Sequence, residues 1–157
     1  MSKPLRSSDA LSFLGLHLRL PRAQGTMARH RTMTLSHPII AVVEDDAAVR
    51  NSLKFSLEID GFAVRTYASA EEALGSSNLR NVQCLIVDQD MPGMTGLELV
   101  AALRERGVEV PALLVSGHLT SSVRRKASDA GIPVIEKPFL GNALIDSIRA
   151  AVGTKPS

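Results

Sequence analysis

The stretch Val82-Gln83-Cys84-Leu85-Ile86-Val87-Asp88, followed by Gln89-Asp90-Met91-Pro92-Gly93, decides the fold of this chain. Its apolar run predicts a strand that is covered on both faces of a sheet. The run ends in a carboxylate, and the Pro-Gly pair after it predicts a loop. Open α/β sheets gather their reactive groups at the carboxyl ends of the strands. Asp88 is therefore a candidate nucleophile, metal ligand or helix cap.

The composition predicts one globular domain with an aliphatic core. The chain has 157 residues, of which 45% are hydrophobic and only 3% are aromatic. The net charge is +2, but residues 1–36 carry six basic side chains and one acid, so residues 37–157 carry −3. We therefore expect no nucleic-acid-binding surface on the folded part. Residues 1–36 are expected to be a disordered basic tail, an over-extended translation start ahead of Met33, or a short amphipathic anchor.

The single cysteine and the hydropathy of the chain bear on its location. Cys84 has no partner for a disulfide and no companion for a cysteine-based zinc site. Its place inside an apolar run predicts a buried, unreactive thiol, which suits a reducing cytoplasmic compartment. No apolar stretch approaches the ~20 residues of a membrane span, so no membrane association is expected.

From residue 38 onward, predicted strands and helices alternate. Asp46 predicts a helix N-cap, and Ser69 with Glu72 predicts a capping box. The alternation predicts a parallel sheet with right-handed crossovers and helices on both faces. The predicted strands are Ile39–Val43, Ala63–Tyr67, Cys84–Val87, Ala112–Ser116 and Val134–Glu136. The predicted helices are Ala47–Asp60, a short helix ending at Leu74, Gly96–Arg106, Thr120–Ala130 and residues 141–152, with a loop at Gly75–Asn81. Residues 37–152 thus form a single domain, and residues 153–157 form a short tail.

Two of the predicted helices have distinctive faces. In the helix Gly96–Arg106, one set of side chains lies on successive turns: Leu97, Val100, Ala101 and Arg104. The helix Thr120–Ala130 has a small-residue face and a basic run, which we interpret as a solvated face. The small residues are Val123, Ala127 and Ala130, and the basic run is Arg124-Arg125-Lys126.

Charged and polar side chains follow four of the predicted strands. The strands end in Glu44-Asp45-Asp46, in Asp88, in Ser116-Gly117-His118 and in Lys137-Pro138. All four ends lie on one edge of a parallel sheet, where clustered carboxylates repel one another unless a cation lies among them. Hard oxygen ligands suit Mg²⁺. A lysine and a hydroxyl beside a glycine complete a site for a tetrahedral phosphoryl group, where catalysis is mostly positioning and charge neutralisation.

Residues 38–152 resemble the receiver domain of two-component response regulators. Four motifs carry the resemblance, and their sequences are most similar to those of receivers of the nitrogen-fixation and nodulation regulator type. The resemblance implies a flavodoxin-like, doubly wound α/β fold with five helices and a five-stranded parallel sheet in the order 2-1-3-4-5. The motifs are Val43-Glu44-Asp45-Asp46, the stretch from Val87 to Gly96, Val115-Ser116-Gly117-His118 and Glu136-Lys137-Pro138-Phe139.

The resemblance also implies a nucleophile and a metal site. Asp88 would accept a phosphoryl group from a sensor histidine kinase or a phosphotransfer protein. Glu44 and Asp45 would hold Mg²⁺ together with Asp88, and the backbone carbonyl of Asp90 would complete the protein ligands. Asp46 is more simply explained as the N-cap of the following helix.

Further roles are implied for residues around the phosphoryl group. Ser116 and Lys137 would contact the phosphoryl oxygens, and the bond between Lys137 and Pro138 would be cis. His118, two residues after the hydroxyl residue, would flank the phosphoryl group and modulate its lifetime. Asp90, two residues after the nucleophile, occupies the other modulating position.

One position departs from the family pattern. Receivers usually carry Tyr or Phe three residues before the lysine, where the ring turns inward when the hydroxyl engages the phosphate. This chain has Val134 there, and residues 131–134 form a stretch one residue shorter than expected. Valine is stiff at χ1 and offers no large side chain to move. We therefore expect the aromatic-coupled output to be absent or replaced.

These observations predict a stand-alone response regulator rather than an enzyme that turns over a separate substrate. No effector segment is expected after Val152, so the output is expected to be contact with a downstream protein, without direct DNA binding. The expected contact face comprises Thr120–Ala130, the short strand after it and Asn142–Val152. One alternative is a receiver fold that acts as a scaffold without phosphorylation, as Val134 would allow.

The other alternative is a phosphatase similar to the haloacid dehalogenases. In that family Asp88 would attack a substrate phosphate and Asp90 would be the general acid. However, that family places its Asp-x-Asp pair after the first strand and its remaining acids downstream. Here the acidic pair precedes Asp88, and we find no insert that could cover a substrate.

Overall fold

The computed structural model describes residues 37–139 and 141–153. The predicted segment 1–36 and residues 154–157 of the predicted tail lie outside the described residues, while Gly153 ends the last helix. The strands are β1 (Ile39–Val43), β2 (Ala63–Tyr67), β3 (Cys84–Asp88), β4 (Ala112–Ser116) and β5 (Val134–Glu136). The α-helices are α1 (Ala47–Ile59), α2 (Ala70–Leu74), α3 (Gly96–Glu105), α4 (Ser121–Asp129) and α5 (Ala143–Gly153).

The five strands form one parallel sheet in the order β2-β1-β3-β4-β5. This confirms the flavodoxin-like, doubly wound fold and the strand order that the resemblance implied. The order reverses direction at β1, so the carboxyl ends of β1 and β3 flank the crevice where such sheets bind ligands. The register pairs Asp88 with Val115 and Ser116 with Glu136, which brings the last residues of β3, β4 and β5 to one edge.

Side chains that alternate along the strands build a core on each face of the sheet. On one face α1 and α5 bury Leu53, Leu57, Leu144 and Ile148 against strand residues such as Ile40, Val42, Ile86 and Val115. On the other face α2, α3 and α4 bury Ala73, Leu99, Leu103 and Ala127 against Ala41, Val43, Val87 and Leu114. Both faces of the central strands are therefore covered, as their continuous apolar runs predict. Among the described residues no helix is long and apolar enough to cross a membrane.

The segment predicted as a loop at Gly75–Asn81 contains a 3₁₀ helix at Ser77–Asn81. The Ser76 side chain accepts a hydrogen bond from the Asn78 N–H and so caps this turn. Leu79 is 2% exposed and packs into the core. The loop prediction was wrong because short polar segments carry no periodicity, whereas one buried leucine and one cap are sufficient to order a single turn.

The buried face of α3 is not the set of side chains noted on its successive turns in the sequence. Leu99, Val100 and Leu103 are buried, while Leu97 is half-buried and Ala101 is exposed. The noted set and the buried set both fit a 3.6-residue period. The set that faces the sheet is the one that buries more leucine surface. Arg104, the last member of the noted set, is exposed, as is Ala130 beyond the end of α4.

The predicted caps are largely confirmed. Asp46 accepts hydrogen bonds from the N–H groups of Ala48 (2.9 Å) and Val49 (3.2 Å), so it is the N-cap of α1. Ser69 accepts from the Glu72 N–H, whereas the Glu72 carboxylate accepts from the N–H of Ala68, one residue before the cap. A full reciprocal capping box that the sequence analysis missed begins α3, between Thr95 and Glu98.

Candidate functional site

The carboxyl ends of β1, β3, β4 and β5 bring four of the predicted residues to one edge of the sheet. Glu44 follows β1 directly, Asp88 ends β3, Ser116 ends β4 and Lys137 follows β5. Three of these polar side chains are buried: Glu44 (1% exposed), Asp88 (3%) and Ser116 (0%). Buried polar groups are costly unless they are paired, and all three have polar partners within the site.

Three carboxylates form a cluster with the composition of a divalent cation site. Oxygens of Glu44, Asp45 and Asp88 lie within 4.8 Å of one another. Glu44 and Asp88 are buried, while Asp45 is exposed and leaves the cluster open to solvent. Hard oxygen donors with open positions for water fit Mg²⁺. Asp46 takes no part in this cluster because its carboxylate caps α1.

Lys137 provides a positive charge beside two of these carboxylates. Its Nζ lies 2.6 Å from Glu44 Oε1 and 3.4 Å from Asp88 Oδ2. The peptide bond between Lys137 and Pro138 is cis, as the resemblance implied. The Lys137 N–H donates to the Ser116 carbonyl at 2.9 Å, which continues the β4–β5 pairing up to the lysine.

Burial and the neighbouring charged groups shift the pKa values of two side chains in the site. Burial, and next the hydrogen bond with Asp88, raise the pKa of Glu44 from 4.5 to about 7, although the ion pair with Lys137 opposes the shift. Burial alone would lower the pKa of Lys137, but its partners Glu44 and Asp88 outweigh that effect and raise it. The site therefore holds a charged lysine beside a carboxyl group that binds a proton near neutral pH.

Arg50 supports the acidic pair and was not singled out from the sequence. Its Nη1 donates to the backbone carbonyl of Glu44 at 2.8 Å and to that of Asp45 at 3.4 Å. Both contacts fix the turn between β1 and α1. A basic residue one turn into the helix that follows an acidic motif is the sequence signal that could have identified it.

The loop after β3 is held by local hydrogen bonds and by a close approach of the backbone. The Asp90 N–H donates to Asp88 Oδ1 at 3.1 Å, and the Leu97 N–H donates to the Gln89 side chain at 2.9 Å. At Gly96 a Cβ atom would lie 2.7 Å from the Asp88 carbonyl oxygen and 2.8 Å from Leu114 Cδ1. Only glycine fits at this position, where α3 begins against the end of β3.

Ser116 makes a contact that the sequence analysis did not predict. Its hydroxyl donates to Asp90 Oδ2 at 2.8 Å, and the Gly117 N–H donates to the same oxygen at 3.2 Å. The predicted role of Asp90 as a metal ligand involved its backbone carbonyl, whereas its side chain turns toward β4. Short-range patterns could not reveal this contact, because it joins the loop after β3 to the end of β4, 26 residues away in the chain.

The remaining predicted residues lie around the site. His118 is exposed, and its N–H donates to Ser116 Oγ at 3.1 Å. Val134 begins β5, pairs with Leu114 and packs, half-buried, against the core that contains α3 and α4. Cys84 is a buried free thiol, and burial raises its pKa to about 12, as expected of an unreactive thiol.

Comparisons with known proteins show which family the chain belongs to. The model of the response regulator receiver domain family matches residues 40–149. The chain is 36% identical over 115 residues to the transcriptional regulatory protein FixJ of Azorhizobium caulinodans, which covers 73% of this chain and 54% of that protein. It is 34% identical over 127 residues to the response regulator protein TodT of Pseudomonas putida, which covers 80% of this chain and 56% of that protein.

Solved structures show the same similarity. The crystal structure of FixJ-N superposes with a TM-score of 0.68 at 32% identity, over 78% of this chain and 99% of that one. The chain spans about half the length of the curated relatives above, and the shared part is the part that folds as in FixJ-N. This chain belongs to the response regulator receiver domain family.

Proposed function

We propose that this protein is a receiver that accepts a phosphoryl group on Asp88 from a histidine kinase or a phosphotransfer protein. The observation that carries the proposal is the convergence of Glu44, Asp45 and Asp88 with Lys137 at the sheet edge. A carboxylate that is 3% exposed, lies beside a lysine and belongs to an acidic cluster has the surroundings of a phosphoacceptor.

The transfer itself is a displacement at phosphorus. An Asp88 carboxylate oxygen forms a bond to phosphorus as the bond from phosphorus to the donor's imidazole nitrogen breaks, and the nitrogen leaves with the electron pair. Charge develops on the phosphoryl oxygens, so donors placed beforehand lower the barrier. Lys137 would supply a fixed positive charge, and Ser116 with Gly117 would supply hydrogen-bond donors.

Mg²⁺ fits this arrangement through the chemistry of the donor set. Glu44, Asp45 and Asp88 would hold the ion, together with the backbone carbonyl of Asp90. When bound, the ion supplies positive charge that neutralises the phosphoryl oxygens and relieves repulsion among the carboxylates. Arg50 would keep the carbonyl groups of Glu44 and Asp45 in place as the ion enters.

The proposed output is contact with a downstream protein, and the family relationship supports regulation rather than turnover of a substrate. The candidate face consists of α4, β5 and α5, on which the side chains of the basic run Arg124-Arg125-Lys126 are exposed. The identity of the partner and the cytoplasmic location stay predictions.

Phosphoryl uptake tests the proposal directly. The purified chain is incubated with acetyl phosphate and Mg²⁺, and the covalent phosphoryl group is measured by intact-protein mass spectrometry. We expect uptake by the wild type and by the matched variant Asp129→Asn at the end of α4, and none by Asp88→Asn. Absence of uptake by the wild type would favour the scaffold alternative.

The same preparation tests the phosphatase alternative. A phosphatase would turn over a generic phosphomonoester many times and lose that activity in Asp90→Asn. The receiver proposal predicts no such turnover by the wild type, because the acidic cluster is arranged to hold the acceptor rather than a separate substrate.

A further inference from the structure

The Asp90 side chain accepts hydrogen bonds from two donors at the proposed phosphoryl site. One carboxylate oxygen, Oδ2, accepts from both the Ser116 hydroxyl (2.8 Å) and the Gly117 N–H (3.2 Å). A hydroxyl and an adjacent backbone N–H that converge on one anionic oxygen form the arrangement that binds an oxyanion. Oδ2 of Asp90 therefore stands where an oxygen of an incoming anion would be bound.

The Ser116 hydroxyl has only one proton to donate. The His118 N–H donates to Ser116 Oγ at 3.1 Å and so occupies one lone pair of the hydroxyl. With Ser116 fully buried, this contact helps to fix the hydroxyl, and its proton points to Asp90. The hydroxyl can therefore serve Asp90 or a phosphoryl oxygen, but not both at once.

Asp88, the proposed nucleophile, and Asp90, which accepts from these donors, belong to the same short turn. The Asp90 N–H donates to Asp88 Oδ1, and only Gln89 lies between the residue that would carry phosphorus and the residue whose carboxylate accepts from the two donors. Asp90 is exposed, so water screens much of the repulsion between its carboxylate and a phosphoryl group on Asp88, and competition for the two donors is the larger effect. Competition for the Ser116 and Gly117 donors therefore favours the unmodified form of Asp88.

We propose that the Asp90 carboxylate is an internal competitor of the phosphoryl group, held on Ser116 and Gly117 at rest and displaced when Asp88 is modified. Asp90 is thus a positioning residue that sets how tightly the site holds a phosphoryl group. The inference rests on the proposed function, since it requires a phosphoryl group at Asp88. It involves the side chain of Asp90 alone and leaves its backbone carbonyl unchanged.

Binding of beryllofluoride, an analogue of the phosphoryl group, provides the test. Its dissociation constant is measured by calorimetry at saturating Mg²⁺ for the wild type, Asp90→Ala, Asp90→Asn and the charge control Asp129→Asn. Removal of the competitor should tighten binding by about tenfold in Asp90→Ala, the size expected for one charge-assisted hydrogen bond. Asp90→Asn keeps an acceptor but loses the charge, so its gain should be smaller. Asp129→Asn should match the wild type.

A purely structural role for Asp90 predicts the opposite sign. If the carboxylate only braces the loops, then Asp90→Ala should bind beryllofluoride as the wild type does or more weakly, and the inference fails. An equal gain in Asp129→Asn would assign the effect to net charge and would also overturn it. If the wild type itself does not bind beryllofluoride, the proposed function fails. That result differs from one in which the wild type and all variants bind beryllofluoride with the same dissociation constant, which overturns only the inference about Asp90.

A double-mutant cycle with Ser116→Ala locates the competition. Without the hydroxyl, the gain from Asp90→Ala should shrink, because only the Gly117 N–H remains to be released. The amide resonance of Gly117 should also shift in metal-free Asp90→Ala. A gain that is independent of Ser116, with an unmoved Gly117 resonance, would contradict the proposal. Thermal unfolding of each variant verifies that it is folded.

Discussion

Glu44 lies in an environment very different from that of a free glutamate in water. It is 1% exposed, shares the site with a second buried carboxylate and forms an ion pair with Lys137 at 2.6 Å. Burial raises its pKa because the charged form loses water, and the nearby Asp88 carboxylate acts in the same direction. In the metal-free protein Glu44 therefore binds a proton more readily than a free glutamate does.

The shift makes Mg²⁺ affinity depend on pH. A proton on Glu44 competes with the ion, so affinity should rise with pH, by up to about tenfold per pH unit, below about 7 and level off above it. The same proton stabilises the metal-free fold fully below pH 4.5, and that contribution is lost as pH rises through about 7. Calorimetric Mg²⁺ titrations across this range provide the measurement.

Glu44→Gln is the matched variant for this prediction. Its amide keeps the shape of the side chain but cannot titrate, so the variant should bind Mg²⁺ more weakly and lose the pH slope that Glu44 contributes. A wild-type affinity that does not change between pH 4.5 and 7 would contradict the assignment of the titrating group.

At the scale of secondary-structure elements, the site depends on how closely α3 approaches β3. Gly96 begins α3 with its Cα so near the end of β3 that a Cβ atom would lie 2.7 Å from the Asp88 carbonyl oxygen. The helix starts there because Thr95 and Glu98 form its capping box. The position of the loop that carries Asp90 is thus set by the first turn of a helix.

Gly96→Ala should therefore destabilise the protein. The nearest atoms belong to backbone and to a buried leucine, so the helix must shift, at a cost of about 1–3 kcal/mol in the free energy of unfolding. Gly75→Ala is the control, because a Cβ atom there would meet its nearest neighbour at 3.5 Å and φ is −77°. Urea unfolding of both variants gives the comparison, and equal stabilities would disprove the steric argument.

The elements themselves were largely predictable because local signals agree with the global fold. Apolar runs identified all five strands, and Asp46 and Ser69 identified helix starts. The 3₁₀ turn at Ser77–Asn81 was missed because its order comes from one buried side chain rather than from a repeat. The buried face of α3 was missed because two stripes fit the same helical period.

The site likewise contains features that could be predicted from the sequence and features that could not. Glu44, Asp88 and Lys137 were predictable because each directly follows or ends a strand, and parallel topology brings strand ends together. The contact of the Asp90 carboxylate with Ser116 was not predictable, since a side-chain direction within a loop depends on tertiary neighbours. The hydrogen bond from Arg50 to the Glu44 carbonyl was not predicted either, because it also depends on the direction of a side chain in the folded protein.

For the whole molecule, the question is how modification at one edge of the sheet reaches another surface. Receivers usually carry an aromatic ring at the position of Val134. Here a half-buried valine pairs with Leu114 and packs against the core. A β-branched side chain has few rotamers and little surface to move. We therefore expect no ring-like rotation to carry the signal from Ser116 to α4.

Hydrogen exchange tests this expectation. On addition of beryllofluoride to the Mg²⁺ form, amide protection should increase where β1, β3 and β4 end, because the ligand ties these loops together. Protection in α4 (Ser121–Asp129) should stay as it was. A change in α4 as large as that at the strand ends would show that the receiver transmits its state through this face in spite of Val134.

The central claim is that Asp88 and its neighbours form a phosphoacceptor site, and an amide NMR titration tests it most directly. Mg²⁺ is added first and beryllofluoride second, with Asp88→Asn as the control. We predict that the resonances of Asp88, Ser116 and Lys137 move in both steps for the wild type, and that Asp88→Asn does not respond to beryllofluoride. If these wild-type resonances stay in place, the phosphoacceptor assignment is wrong.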